Sequence, residues 1–343
     1  MSLFPTTVIG AGAWGTALAI AIARNGNEVI LWGRDAQHLA DMQKTRTNER
    51  YLPGLELPET LRIEPDFNKA VSSAKHILVS VPSIAFAGML QKIKPQLVAG
   101  TPLSWATKGL TPDTGRFLFD TATDILGEYH SLAVISGPSF AAEVAKDLPT
   151  AVTVASQDET FAQGLASALH SPTLRVYTTH DVLGVQIGGT VKNVLAISAG
   201  ISDGLGYGAN ARAALITRGM AEILRFSASL GAQTETMFGL SGIGDLILTC
   251  TDDQSRNRRL GLAIGRGLTV EQAVAEVGKT VEGMYAAKEV LLRAQQIDVE
   301  MPIVEQVYKI LFEGNDPRES VQTLLCREQK AENAYPAQQT TAD

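Results

Sequence analysis

Apolar and polar positions alternate along the first half of the chain in two different periods. Short apolar runs of strand length fall at Thr6–Ile9, Glu28–Trp32, His76–Val81, Pro102–Trp105, Ala133–Ser136 and Ala151–Ala155. Between most of them, apolar residues recur at helical spacing over Thr16–Arg24, Ile84–Ile93, Thr114–Leu126 and Thr160–Leu169. Strand and helix in turn predict an α/β fold, a doubly wound and mainly parallel sheet covered by helices on both faces. Asn25-Gly26 supplies the stop for the first helix, since glycine adopts the left-handed cap conformation freely. After about Asp181 the strand-like runs cease, and long Ala/Leu/Ile/Gly-rich stretches follow at Val185–Gly200, Asn210–Leu230, Val270–Val277 and Val281–Gln295. The pattern therefore predicts a first domain over residues 1–182, an all-helical second domain over 183–330, and a polar tail over 331–343.

Composition narrows the function. The chain has 343 residues, 45% of them hydrophobic, which suits two ordinary domains and excludes wholesale disorder. Its net charge of −7 offers no general field for nucleic acid or an anionic membrane surface, though a local basic cluster can still hold a small anion. No uninterrupted apolar run is long enough to span a bilayer, and the N-terminal stretch runs into a glycine motif rather than a cleavage site. Two distant cysteines, Cys250 and Cys326, are too few for a disulfide framework, so a reducing, cytoplasmic setting is expected. No metal-ligand spacing stands out.

The clearest motif is Gly10-Ala11-Gly12-Ala13-Trp14-Gly15, between the first strand and the first helix. Gly10 allows the tight turn, Gly12 lets backbone N–H groups approach a pyrophosphate, and Gly15 lets helix and strand pack closely. The uncompensated N–H groups and dipole of the helix start favour the anion. At the end of the second strand, Gly33 stands where an acid would hold ribose hydroxyls, and Arg34 follows it. Either Arg34 meets the 2′-phosphate of NADP, or it is solvated and Asp35 takes the ribose. Strand ends further on carry Val81-Pro82-Ser83, the Lys108 of Trp105–Leu110, and Ser136-Gly137-Pro138-Ser139-Phe140. Lys108 is placed to meet an anionic or carbonyl group, or simply extends into solvent; Ser139 either binds or makes a turn.

The second half carries the chemistry. Lys192 is the one charged residue within Val185–Ile201, and burial lowers a lysine's pKa into the range useful for proton transfer. Asn193 beside it could orient it or bind substrate. Asp245, after three closely spaced glycines, either caps a helix or pairs with the lysine, with Thr249 one turn further on the same face. Ser255–Arg259 concentrates three guanidinium groups whose forks match phosphate oxygens: Ser255-Arg256-Asn257 form the phosphate grip, and Arg258 and Arg259 either add to it or lie on a solvated helix face. Glu282 is either a first-turn acid or a contact to the nucleotide.

The segments GAGAWGTALA, VPS, WATKGL, SGPSFAAEV, GGTVKNVLAISAGISDGLGYGANARAALITRG, GLSGIGDLILTCT, SRNRRLG and VEG, in this order, resemble bacterial NAD(P)-dependent glycerol-3-phosphate dehydrogenases from Thr6 to Leu325. The resemblance implies a Rossmann domain, a helical second domain, a homodimer, and interconversion of dihydroxyacetone phosphate and sn-glycerol 3-phosphate for phospholipid synthesis. It implies NADP(H), with NAD(H) also accepted, and no metal. By the same resemblance Lys192 is the proton donor and acceptor. Ala13, Trp14, Arg34, Lys108, Ala141, Arg256, Thr280 and Glu282 face the nucleotide. Lys108, Gly137, Ser139, Lys192, Asp245, Ser255, Arg256 and Asn257 contact substrate, with Asn193 and Thr249 as additions. Relatives often carry serine at position 13, so Ala13 can offer only its backbone N–H.

Overall fold

The computed structural model describes residues 4–128, 130–278 and 281–328. The polar tail expected over 331–343 lies outside the described residues. Eight strands form one sheet: β1 (Thr6–Ile9), β2 (Val29–Trp32), β3 (Leu61–Ile63), β4 (Ile77–Val79), β5 (Leu103–Trp105), β6 (Leu132–Ser136), β7 (Thr150–Ser156) and β8 (Leu174–Thr179). Their spatial order is β8-β7-β6-β5-β4-β1-β2-β3. The six strands from β3 to β6 are parallel and in the order of a dinucleotide-binding fold. β7 runs antiparallel to β6, pairing Ala133 with Ser156, and β8 follows β7 in parallel. The strand order reverses between β1 and β4, and open α/β sheets bind ligands beyond the carboxyl ends of the strands at such a reversal.

Six strands coincide with the apolar runs because both faces of the central sheet are buried: β1, β4, β5 and β6 are covered throughout. The pattern misses β3 and β8. β3 has an exposed arginine between its two buried residues, and β8, at the edge of the sheet, buries only Leu174, so neither makes a continuous apolar run. The predicted helix over Thr114–Leu126 begins at Leu118 instead. Leu110–Thr111 pairs with Arg116–Phe117 in a small hairpin whose turn holds Asp113 and Gly115 at positive φ. Leu110 and Phe117 pack into the core of the helical half, so this hairpin ties the two halves together.

Helix α1 (Ala13–Arg24) follows β1 and ends at Asn25, with Gly26 left-handed as expected. Past Thr179 the described residues form helices and turns. The element at the centre is α2 (Val182–Gly204), buried almost throughout. Around it lie α3 (Gly208–Ser229), α4 (Asp245–Thr251), α5 (Arg256–Gly265) and α6 (Glu282–Gln296), followed by α7 (Pro302–Tyr308) and α8 (Pro317–Leu325). α2 is long and apolar enough to cross a membrane by composition, but its apolar window is buried within the protein. Small residues set the α2–α5 approach: a Cβ on Gly261 would lie 2.0 Å from the Ile197 carbonyl oxygen. That seam fixes where α2 presents Lys192.

Candidate active site

Two short connections at the sheet's carboxyl edge, one after β1 and one after β4, interlock. Gly10 has φ +127°, and a Cβ there would lie 2.2 Å from the Ser80 carbonyl oxygen. One on Gly15 would lie 2.0 Å from the Gly10 carbonyl oxygen, so these two positions require glycine for the close packing of α1 on β1. Gly12 differs: among the described residues nothing lies within 4 Å of its added Cβ, and it caps α1 without any side-chain hydrogen bond. The helix start is left open for an anion, which fits a dinucleotide pyrophosphate. Half-buried Ala13 and Trp14 open α1, and the Trp14 indole N–H finds no partner among the described residues. α1 packs against the short helix Ala141–Ala145, so half-buried Ala141 borders the same region.

The row continues toward the second domain. Gly109 sits against the Ser83 side chain, and its N–H donates to Thr190 Oγ1 on α2 at 3.2 Å. Just before it, Lys108 reaches across, its Nζ 2.6 Å from Asp245 Oδ2 and 3.5 Å from the Gly137 carbonyl oxygen. Ser139 Oγ donates to the same carbonyl at 3.0 Å. α2 comes this close because it carries glycine at Gly189, where a Cβ would meet Ser136 Oγ at 2.8 Å and the Lys108 stem at 3.6 Å.

Lys192 projects from α2 into this corner. Its Nζ donates to Asp245 Oδ1 at 2.6 Å and to Thr249 Oγ1 at 2.8 Å. Thr249 in turn donates to the Asp245 backbone carbonyl at 2.6 Å. The Lys192 and Asp245 side chains are 9% and 1% exposed, and Lys108 is 14% exposed. Burial pulls the Lys192 ammonium down to about 8, against the opposing pull of Asp245 and with the help of the Lys108 charge. Asp245 is therefore not a helix cap: Gly244 precedes α4 in the capping position, and the carboxylate bridges two ammonium groups.

The Ser255–Arg259 run divides. Buried Ser255 caps α5, its Oγ accepting the Arg258 N–H at 3.2 Å. Asn257 ties three helices together, donating to Asn193 Oδ1 at 2.9 Å and accepting from the Gly283 N–H at 2.9 Å. Asn193 Nδ2 donates to the Gly189 carbonyl at 3.3 Å, so both asparagines are held in place. Arg256 and Arg259 are exposed. The solvated-face expectation for Arg258 is corrected: it is buried, pairs with Asp203 and, at 2.8 Å, with Asp253, and donates to the Cys250 carbonyl. Sequence could not show this, because Asp203 lies 55 residues away at the far end of α2.

Glu282 opens α6 as a first-turn acid, and burial raises its carboxyl pKa against the charges of Arg256, Lys108 and Lys192. The four charged groups are therefore close enough to act on one another. Thr280 lies outside the described residues. At the other end of the glycine loop Arg34 is exposed, while Asp35 caps the helix Ala36–Thr45 through its own side chain.

A doubly wound nucleotide fold whose open helix start leads along the strand ends to a buried lysine–carboxylate–lysine bridge defines a two-domain oxidoreductase. The comparisons give the family. Residues 5–162 match the model of the NAD-dependent glycerol-3-phosphate dehydrogenase N-terminus, and residues 181–322 match that of its C-terminus. Proteins named glycerol-3-phosphate dehydrogenase [NAD(P)+] from Vibrio vulnificus and Colwellia psychrerythraea are 54% and 53% identical over 327 residues. The alignments cover 95% of this chain and 95% and 98% of those proteins. The crystal structure of glycerol-3-phosphate dehydrogenase from Coxiella burnetii superposes with a TM-score of 0.92 at 46% identity, covering 95% of this chain and 99% of that one. The chain belongs to the NAD-dependent glycerol-3-phosphate dehydrogenase family.

Proposed function

We propose that the protein interconverts dihydroxyacetone phosphate and sn-glycerol 3-phosphate with a nicotinamide cofactor, NADP(H) in preference to NAD(H), in the cleft between sheet edge and helices. The carrying observation is the buried Lys192 ammonium, near pKa 8 and held by Asp245 and Thr249 at the end of the strand row. When bound, the nicotinamide supplies the two electrons and hydrogen that reduce the carbonyl carbon.

The residues do the rest. Lys192 donates its proton to the ketone oxygen as negative charge develops there, and takes it back in the reverse direction; a pKa near the working pH serves both. Lys108 adds positive charge beside that oxygen in a site with little water. Asp245 holds both ammonium groups in position and keeps the cluster at a net single positive charge. Arg256, with Ser255 and Asn257 at the start of α5, receives the phosphate ester, so binding energy remote from the carbonyl orients it. The Gly137 carbonyl, which also accepts from Ser139 Oγ, faces the Lys108 ammonium, so Gly137 and Ser139 border the substrate beside it. The backbone from Gly10 to Gly15 takes the pyrophosphate, with Trp14, Ala141 and Glu282 along the nucleotide and Arg34 at its 2′ end. The product would supply phospholipid synthesis, and two free cysteines, Cys250 and Cys326, support a reducing, cytoplasmic compartment. The same reading makes the enzyme a homodimer.

The test is Lys192→Met. Nucleotide affinity is expected to stay near wild type while turnover of dihydroxyacetone phosphate falls by about 10²–10⁴. Unphosphorylated dihydroxyacetone is expected to be a poor substrate for the wild type. Near-normal turnover in the variant, or equal use of both ketones, removes the assignment.

A further inference from the structure

The corner beyond β2 carries two opposed charges. Asp35 Oδ1 accepts the His38 N–H at 3.0 Å, and Oδ2 accepts from Arg50 Nη1 at 2.9 Å. Arg50 arrives on a segment pinned to the glycine loop: Asn48 Nδ2 donates to the Ala11 carbonyl at 3.2 Å and to Thr16 Oγ1 at 2.8 Å. Gly33 lies against Ala11 from the other side, where a Cβ would meet the Ala11 Cβ at 2.8 Å. Arg34, Asp35 and Arg50 therefore surround one edge of the loop that receives the nucleotide. The Arg50 guanidinium also lies 5.3 Å from the centre of the Tyr51 ring.

An acid at the end of the second strand ordinarily accepts the ribose hydroxyls of an unphosphorylated nucleotide and repels a 2′-phosphate. Here the carboxylate caps a helix and is matched by a cation. Arg34 and Asp35 alone sum to zero; with Arg50 the corner is cationic. We infer that Arg50 is a specificity-determining residue that cancels Asp35 and, together with Arg34, makes this corner a seat for the 2′-phosphate of NADP(H). The inference rests on the nucleotide reading of the proposed function. The His38 N–H, followed by Arg50, holds the Asp35 carboxyl below its usual range, so the acid is charged and needs this neutralisation throughout the neutral range. Arg50 and Asp35 side chains are 58% and 47% exposed, so the pair contributes little to the fold and can be altered without unfolding it.

The experiment compares NADPH and NADH by fluorescence titration and by kcat/KM with dihydroxyacetone phosphate, in wild type, Arg50→Ala, Arg50→Lys and the double variant Arg50→Ala with Asp35→Asn. Asparagine is an equally good cap for the helix, so the double variant isolates the charge. Arg50→Ala is expected to lose on the order of tenfold in NADPH affinity and KM, with NADH affected far less. Asp35→Asn in that background is expected to recover much of the loss, and Arg50→Lys to keep most of the preference. An unchanged NADPH-to-NADH ratio, an equal loss with both nucleotides, or no recovery in the double variant overturns the inference. If the wild type binds neither nucleotide, the proposed function itself fails and this inference with it. Binding of both with an unmoved ratio refutes the role of Arg50 alone.

Discussion

Replacing Asp245 by asparagine removes the one negative charge between two enclosed ammonium groups, each 2.6 Å from a carboxylate oxygen. For charge centres about 4 Å apart at an effective dielectric of about 20, the lost attraction is ~4 kcal/mol. At ~1.4 kcal/mol per pKa unit this is about three units, borne by the ammonium that yields first. Lys192 yields first, because it is the more enclosed of the two and burial already holds it at about 8. With Lys192 in the proposed role of proton donor, ketone reduction needs the protonated amine, so the wild-type rate is expected to be full below that pKa and to fall as pH rises through it. In the variant the same descending limb is expected about three units lower, leaving reduction at neutral pH about 10²-fold slower, with recovery on acidification. Alcohol oxidation needs the neutral amine, so its rising limb moves down by the same amount. The assay is kcat/KM against pH in both directions, followed by nicotinamide absorbance, with thermal melting to confirm the fold. A descending limb that stays near pH 8 refutes the claim that Asp245 sets the lysine.

Glu222 gives a second pH prediction. Burial raises its carboxyl to about 7, although the N–H groups of Ile303 and Val304 at the start of α7 oppose the shift. An acid raised on folding costs nothing below its unfolded pKa of 4.5; its penalty grows as pH rises from there and is complete above about 7. Glu222→Gln should therefore be relatively more stable at pH 8 than at pH 4 by about 3 kcal/mol at most, read from denaturant melts; a pH-independent difference contradicts the assignment. Gly261→Ala should destabilise by about 1–3 kcal/mol in the same melts, since its Cβ meets the Ile197 carbonyl and α2 and α5 must part. It should also lower turnover by displacing Lys192; a stable, fully active variant would show that the seam is not tight.

Periodicity alone laid out most of this fold. The continuous apolar runs of β1, β2, β4, β5, β6 and β7 identify strands buried on both faces, and the glycine motif between β1 and α1 identifies the anion-ready helix start. Lys192 was conspicuous for the same reason: a lone charge in an apolar helix must meet a partner or give up its proton. Local pattern could not supply what depends on partners distant in sequence. β3 and β8 are strands only because a neighbouring strand lends them hydrogen bonds, and the hairpin at Leu110–Phe117 replaces a helical turn because the second core takes both of its apolar ends. Arg258 belongs to the interior because α2 brings Asp203 to it, and Asp245 bridges rather than caps because two lysines, 137 and 53 residues away, converge on it. Residue type and spacing specify what each group can do. Which groups meet, and how far their charges shift one another, is set by distances and burial that exist only once the chain is packed.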